Sequence, residues 1–179
     1  MPLDPQVRQI LDEASERPPL QTLSPDEARS GMRRLSESIP RPDVVSSAVD
    51  REIPGSSGDL PVRVYTPRGD GPFPITAYFH GGGWVIGDLE THDGMCRMLC
   101  EATASVIVSV DYRRAPEHKF PAAADDCYAA TAWTAKHAAK LGGDPSRLIV
   151  GGDIEGDTRL RRADQSWRLN AGAVLRPGG

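Results

Sequence analysis

An apolar run, Ile75-Thr76-Ala77-Tyr78-Phe79, leads without a break into His80-Gly81-Gly82-Gly83-Trp84. The run reads as a buried strand. Three glycines directly after a strand let the backbone come close to a bound molecule with N–H groups free to donate. A donor cluster of that kind is suited to a carbonyl oxygen that gains negative charge. The architecture must therefore place a strand end and a tight loop beside a pocket.

The surrounding pattern extends this reading. Residues 4–16 have the period of an amphipathic helix, with Val7, Ile10, Leu11 and Ala14 on one face. Ser24-Pro25-Asp26-Glu27 is a capping box that starts a second helix, with Met32 and Leu35 on its apolar side. Val44–Ile53 and Leu60–Tyr65 are strand-like and are joined by the turn residues Gly55-Ser56-Ser57-Gly58-Asp59. Arg68-Gly69-Asp70-Gly71-Pro72 is a second turn cluster. A helix over 91–104, a buried strand at Val106–Asp111, a helix over 121–140 and a strand at Arg147–Val150 follow. Strands that alternate with helices predict a mostly parallel sheet with helices on both faces. Residues 1–43 form an N-terminal helical lid or packing segment, and residues 44–153 the sheet-bearing core.

Composition excludes several classes. The chain has 179 residues, 39% apolar and 26% charged, with a net charge of −4. That acidity argues against nucleic acid as a partner. No apolar run is long enough to span a membrane. Three cysteines (Cys96, Cys100, Cys127) make no disulfide framework and suit a reducing compartment, so the expected location is the cytoplasm. Met1-Pro2-Leu3-Asp4-Pro5 does not read as a signal peptide. Cys96 and Cys100 share a helix face, but a metal site needs further ligands, so no metal and no organic cofactor is expected.

Four ordered motifs carry a family resemblance. They are His80-Gly81-Gly82-Gly83-Trp84; Gly87-Asp88-Leu89-Glu90-Thr91-His92-Asp93; Asp111-Tyr112-Arg113-Arg114-Ala115-Pro116-Glu117-His118-Lys119-Phe120-Pro121; and Gly142-Gly143-Asp144-Pro145-Ser146-Arg147-Leu148. In this order and spacing the chain resembles the hormone-sensitive-lipase-like bacterial esterases. The resemblance covers roughly residues 1–153 and implies the α/β-hydrolase fold. It implies hydrolysis of short acyl esters by a serine nucleophile and an oxyanion hole at Gly81, Gly82 and Gly83. It makes His80 a support of the glycine loop, Trp84 a residue of the pocket or its packing, and Asp111 and Asp153 loop or pocket residues. His92, Asp93, Arg113 and Glu117 are expected to brace loops, and His118 and His137 to be solvated.

The resemblance breaks at Gly152-Asp153-Ile154-Glu155-Gly156. The family pattern there is Gly-Asp-Ser-Ala-Gly, so Ile154 holds the nucleophile position. Ile has no lone pair with which to attack. His137 is the last histidine, upstream of this elbow, whereas the fold's order is Ser, Asp/Glu, His. The reading at this level is a truncated or frameshifted esterase that is inactive as written. The other reading is a non-catalytic protein that binds an acyl ligand or a partner. Residues 154–179 are Arg-rich with no trusted period, as out-of-frame GC-rich DNA would yield. A shortened sheet would leave an edge unpaired and invite self-association.

Overall fold

The computed structural model describes residues 3–153, Glu16 excepted. Ile154 and the Arg-rich tail lie outside the described residues. Helices α1 (Pro5–Ser15) and α2 (Pro25–Glu37) come first, then β1 (Ser47–Pro54), β2 (Asp59–Thr66) and β3 (Phe73–Phe79). Helix α3 (Asp93–Thr103), β4 (Val106–Val110), α4 (Ala122–His137) and β5 (Gly143–Gly152) complete the order. A short 3-10 turn, Ala138–Leu141, joins α4 to β5.

The sheet runs β1-β2-β4-β3-β5. It is mixed: β4, β3 and β5 are mutually parallel, while β1–β2 and β2–β4 are antiparallel. A loop of four residues between β1 and β2 permits only a hairpin. The parallel part is the part threaded by helices. Both faces are covered, as the pattern required. Alternation along the strands sends Ile75, Ala77, Phe79, Val106, Val108 and Val110 to one core, against Ala130 and Ala138. The opposite face sends Tyr65, Tyr78 and Ile107 against Cys96 and Cys100 of α3. Burial of these aliphatic side chains contributes about 1.5–3 kcal/mol each. Among the described residues, no helix is long and apolar enough to cross a membrane.

The first two helices leave several of their apolar residues exposed. Val7 and Leu11 of α1 are 43% and 51% exposed, and Leu35 of α2 is 44% exposed. Amphipathic period alone did not place these faces against the sheet. Instead α2 is attached by polar bonds. Its capping box forms as read, with Glu27 N–H donating to Ser24 Oγ and Ser24 N–H to Glu27. Only Ala28 is buried. Arg29 Nε donates to Val85 O (2.7 Å), Nη2 donates to Ala115 O (2.7 Å), and the guanidinium grips both oxygens of Glu117. Arg33 Nε meets Asp88 at 2.6 Å. The segment thus binds the loops that follow β3 and β4.

Candidate active site

Strands β3 and β5 are parallel, with Phe79 opposite Gly152. The next residues, His80-Gly81 and Asp153, therefore leave the sheet side by side. Gly152 suits this closeness, because a Cβ there would collide with Phe79 O.

Three successive peptide units of the glycine loop are each held at the carbonyl. Tyr112 Oη donates to His80 O (2.5 Å). The His80 ring nitrogen Nδ1 lies 2.9 Å from Gly81 O. Val85 N–H and Ile86 N–H both donate to Gly82 O, at 3.0 and 2.9 Å. In a trans peptide C=O and N–H point in opposite directions. Each grip therefore aims the following N–H away from its anchor. Gly81 N–H is aimed at, and donates to, Asp153 Oδ1 (2.7 Å). Among the described residues, Gly82 N–H and Gly83 N–H donate to nothing. The sequence reading grouped all three glycines as donors; here Gly81 N–H is engaged by Asp153, and among the described residues the unengaged donors of the loop are those of Gly82 and Gly83. Gly82 and Gly83 sit at φ +131° and +61°, a region that favours glycine.

Asp153 is a hub. Besides Gly81 N–H it accepts Tyr78 Oη (2.7 Å), and His92 Nε2 stands 3.3 Å from its Oδ2. Burial alone would raise its pKa, but the Tyr78 hydroxyl, the nearby His92 and the Gly81 N–H outweigh that, so it stays below the ordinary carboxylate value. Tyr78 is pushed the other way, by burial and by this carboxylate.

His80 is fully buried and stacks on Tyr112, with ring centroids 4.3 Å apart. Burial is the main cause lowering its pKa to about 4, so the ring is neutral at neutral pH. Gly81 O can only accept, so Nδ1 carries the ring proton. Asp111 faces the far side of the ring. Trp84 is 47% exposed at φ +57°, and its carbonyl accepts Ala115 N–H (2.8 Å).

The remaining landmarks are bracing groups. Asp93 is fully buried, and its carboxylate accepts Arg63 (3.0 Å), Tyr65 Oη (2.9 Å) and Arg97 (2.7 Å). Arg113 forks onto Asp126, and Glu117 takes Arg29. His118 is exposed as read, but His137 stacks on Trp133 at 4.5 Å and bonds its carbonyl, because an i, i+4 pair on α4 shares one face. Cys96 and Cys100 are buried core. Among the described residues, no group of three or more His, Cys, Asp or Glu is placed to hold a metal ion. Tyr78, Tyr112, Arg29 and Gly87 had no role in the sequence reading. Tyr112 and Gly87 had a usable signal there, each lying in one of the family motifs.

Known proteins share this fold and sequence pattern. A family described as alpha/beta hydrolase fold matches residues 76–157. The carboxylic ester hydrolase LipN of Mycobacterium tuberculosis is 45% identical over 130 residues, 72% of this chain and 35% of that protein. The esterase LipI of the same organism is 40% identical over 161 residues, 87% of this chain and 49% of that protein. Among solved structures, the ester hydrolase EH1AB1 from the metagenome of Lake Arreo superposes with a TM-score of 0.84 at 36% identity. It covers 97% of this chain and 57% of its own. The chain belongs to the hormone-sensitive-lipase-like branch of the α/β-hydrolases. It spans about a third to a half of the length of the curated relatives it matches.

Proposed function

We propose that the protein is a carboxylic ester hydrolase by lineage, acting on small esters with short acyl chains, and that Ile154 blocks the chemistry in this chain. The observation that carries this reading is the oriented glycine loop. Gly82 and Gly83 N–H stand free beside the β5 end, where the relatives' fold places a nucleophile elbow. In this reading those two groups are the oxyanion donors, His80 and Asp153 hold the loop, and Trp84 borders the acyl site. An intact member attacks with serine, passes its proton to a histidine and stabilises the tetrahedral oxygen on such donors. Loss of the serine costs on the order of 10⁶-fold in turnover. Residues 1–43 act as a packing segment that holds the glycine loop. The cytoplasm is the proposed location, supported by three free cysteines. No observation favours the non-catalytic binder.

The test is ester hydrolysis by the purified 179-residue chain on p-nitrophenyl acetate and butyrate, with a fluorophosphonate label. No turnover above a protein-free blank and no label uptake are expected. Turnover titrated away by the fluorophosphonate would overturn the block at Ile154. The lineage reading is tested separately by the nucleotide sequence across codons 150–179 and beyond. A frame that restores Ser after Asp153 and continues into an Asp and a His supports it. If no frame does so, Ile154 is genuine and the proposed hydrolase activity fails for this gene.

A further inference from the structure

The far side of the His80 ring presents an unresolved conflict of polarity. His80 Nδ1 must donate to Gly81 O, so in the neutral ring Nε2 is a bare acceptor. Nε2 is buried and has no hydrogen-bond partner among the described residues. Asp111 Oδ1 stands 3.9 Å from it, likewise buried and without a hydrogen bond. A carboxylate oxygen is also an acceptor. Two buried acceptors face each other across a gap too long for a direct bond.

We propose that a proton donor sits between His80 Nε2 and Asp111 Oδ1, either one buried water giving an O–H to each or the carboxyl proton of Asp111 itself. Through it Asp111 acts as a positioning residue: it locks the His80 tautomer that holds Gly81 O and thereby aims Gly82 N–H. The 3.9 Å span fits one water with two legs of about 2.8 Å, whereas the direct bond needs an approach of about 1 Å. A buried acceptor left empty costs the full desolvation of that atom, and a single donor here relieves two of them.

Other charges around the ring do not supply that donor. Arg114 Nη2 is 3.7 Å from Asp111 Oδ1, outside hydrogen-bond reach, and Arg114 donates instead to Gly87 O. Arg33 is committed to Asp88, and Asp88 also takes Thr91 N–H. The His92 ring lies 5.3 Å away, centroid to centroid, and bonds Thr91 and Asp153. An imidazolium at His80 would solve the conflict by itself, but it would place a buried cation between His92 and Arg114. Only the consequence for catalysis rests on Gly82 being an oxyanion donor. The pair itself stands or falls on spectroscopy, whatever the esterase assay shows.

The experiment is NMR of the isotope-labelled chain. Long-range proton–nitrogen spectra are expected to show His80 with Nδ1 protonated and Nε2 bare through neutral pH. A protonated Nε2 in the native chain overturns the proposal. The Asp111 carboxyl carbon separates the two sources: an ionised signal assigns the donor to water, a protonated one to Asp111. Asp111→Asn carries its own N–H donor and is expected to keep the tautomer and the Gly82 amide signal. Asp111→Leu removes both functions and is expected to release the tautomer, shift the Gly82 amide signal and speed exchange of the Ile86 amide, which donates to Gly82 O, by about tenfold. A Leu variant indistinguishable from the parent, or an Asn variant that loses the tautomer, overturns it. Should the Leu variant fail to fold, the parent spectrum and the Asn variant decide.

Discussion

Gly87→Ala tests how tightly the glycine loop is packed from behind. Gly87 sits at φ +85°, and an added Cβ would lie 2.5 Å from His80 Nδ1 and closer still to Gly81 O. Those two atoms are the ends of the hydrogen bond that orients Gly82 N–H. Ordinary contact begins near 3.4 Å, so the methyl must displace them by roughly 1 Å. The left-handed φ costs about 1–2 kcal/mol with a side chain. Breaking the buried bond adds about 1 kcal/mol and residual crowding about 1–2 kcal/mol. The sum is about 3–5 kcal/mol. Gly142→Ala is the control, because Gly142 has φ +77° with nothing within 4 Å of an added Cβ. It should lose only the backbone part, about 1–2 kcal/mol. Urea denaturation of both variants measures the difference, expected at about 2–3 kcal/mol, or roughly 4–12 °C in Tm for a unit of this size. The Gly82 and Gly83 amide signals should move in Gly87→Ala and stay in place in Gly142→Ala. Equal losses within about 0.5 kcal/mol, with both amides unmoved, would refute the packing argument.

Asp153→Ala strands the Tyr78 hydroxyl and frees Gly81 N–H, and should destabilise by about 1–3 kcal/mol in the same urea assay. Stability should be flat between about pH 7 and 8 and fall in two stages below that range. His80 has its folded pKa depressed from 6.5 to about 4, chiefly by burial, so its contribution is present above the unfolded value and lost between the two. Asp88, Asp93 and Asp126 have burial pushing up and stronger hydrogen bonds pushing down, so their contributions vanish below an unfolded value of 3.8. Urea midpoints taken at successive pH values check both stages, and an unchanged midpoint down to about pH 4 would contradict the His80 assignment. Burial raises the Cys96 thiol to about 12 and Cys100 to about 11, and raises Cys127 as well. Iodoacetamide at mildly alkaline pH should therefore leave all three unlabelled until urea unfolds the chain. Ile149, 47% exposed on the outermost strand β5, is the place to probe self-association. Sedimentation should show a concentration-dependent oligomer that Ile149→Lys weakens, and a monomer at all concentrations would dismiss it.

Local chemistry was the legible part of this sequence. The β3 run and its glycines, the capping box at Ser24, and the hairpin at Gly55–Asp59 each state their conformation within a few residues. The elements and their order followed from hydrophobic period. What period cannot report is which partner covers a face: Leu11 and Leu35 lie on the apolar sides of their helices and stand exposed. Nor does counting glycines reveal which N–H is engaged. Gly81 loses its donor to Asp153, 72 residues away, through a register that only the assembled sheet sets. Gly87 opens the second motif, but why it must be glycine was not legible there, because its need for a bare Cα arises from a side chain and a carbonyl on another turn of the loop.

The attachment of α2 bears on how such a loop keeps its shape. Free N–H groups on a glycine run have large conformational entropy to lose, so bare glycines alone would not point donors anywhere. Here Gly82 O is fixed by Val85 N–H, and Val85 O is in turn taken by Arg29 from α2. The same guanidinium reaches Ala115 O, whose N–H is already tied to Trp84 O. One side chain thus closes a circuit between the loop after β3 and the loop after β4. Lys in its place has no planar fork with which to span these acceptors. Arg29→Lys should therefore behave like Arg29→Ala rather than like the parent, with faster exchange in both of the Val85 and Ile86 amides that donate to Gly82 O. A Lys variant with parent-like exchange would show that charge alone, and not the fork, holds the loop.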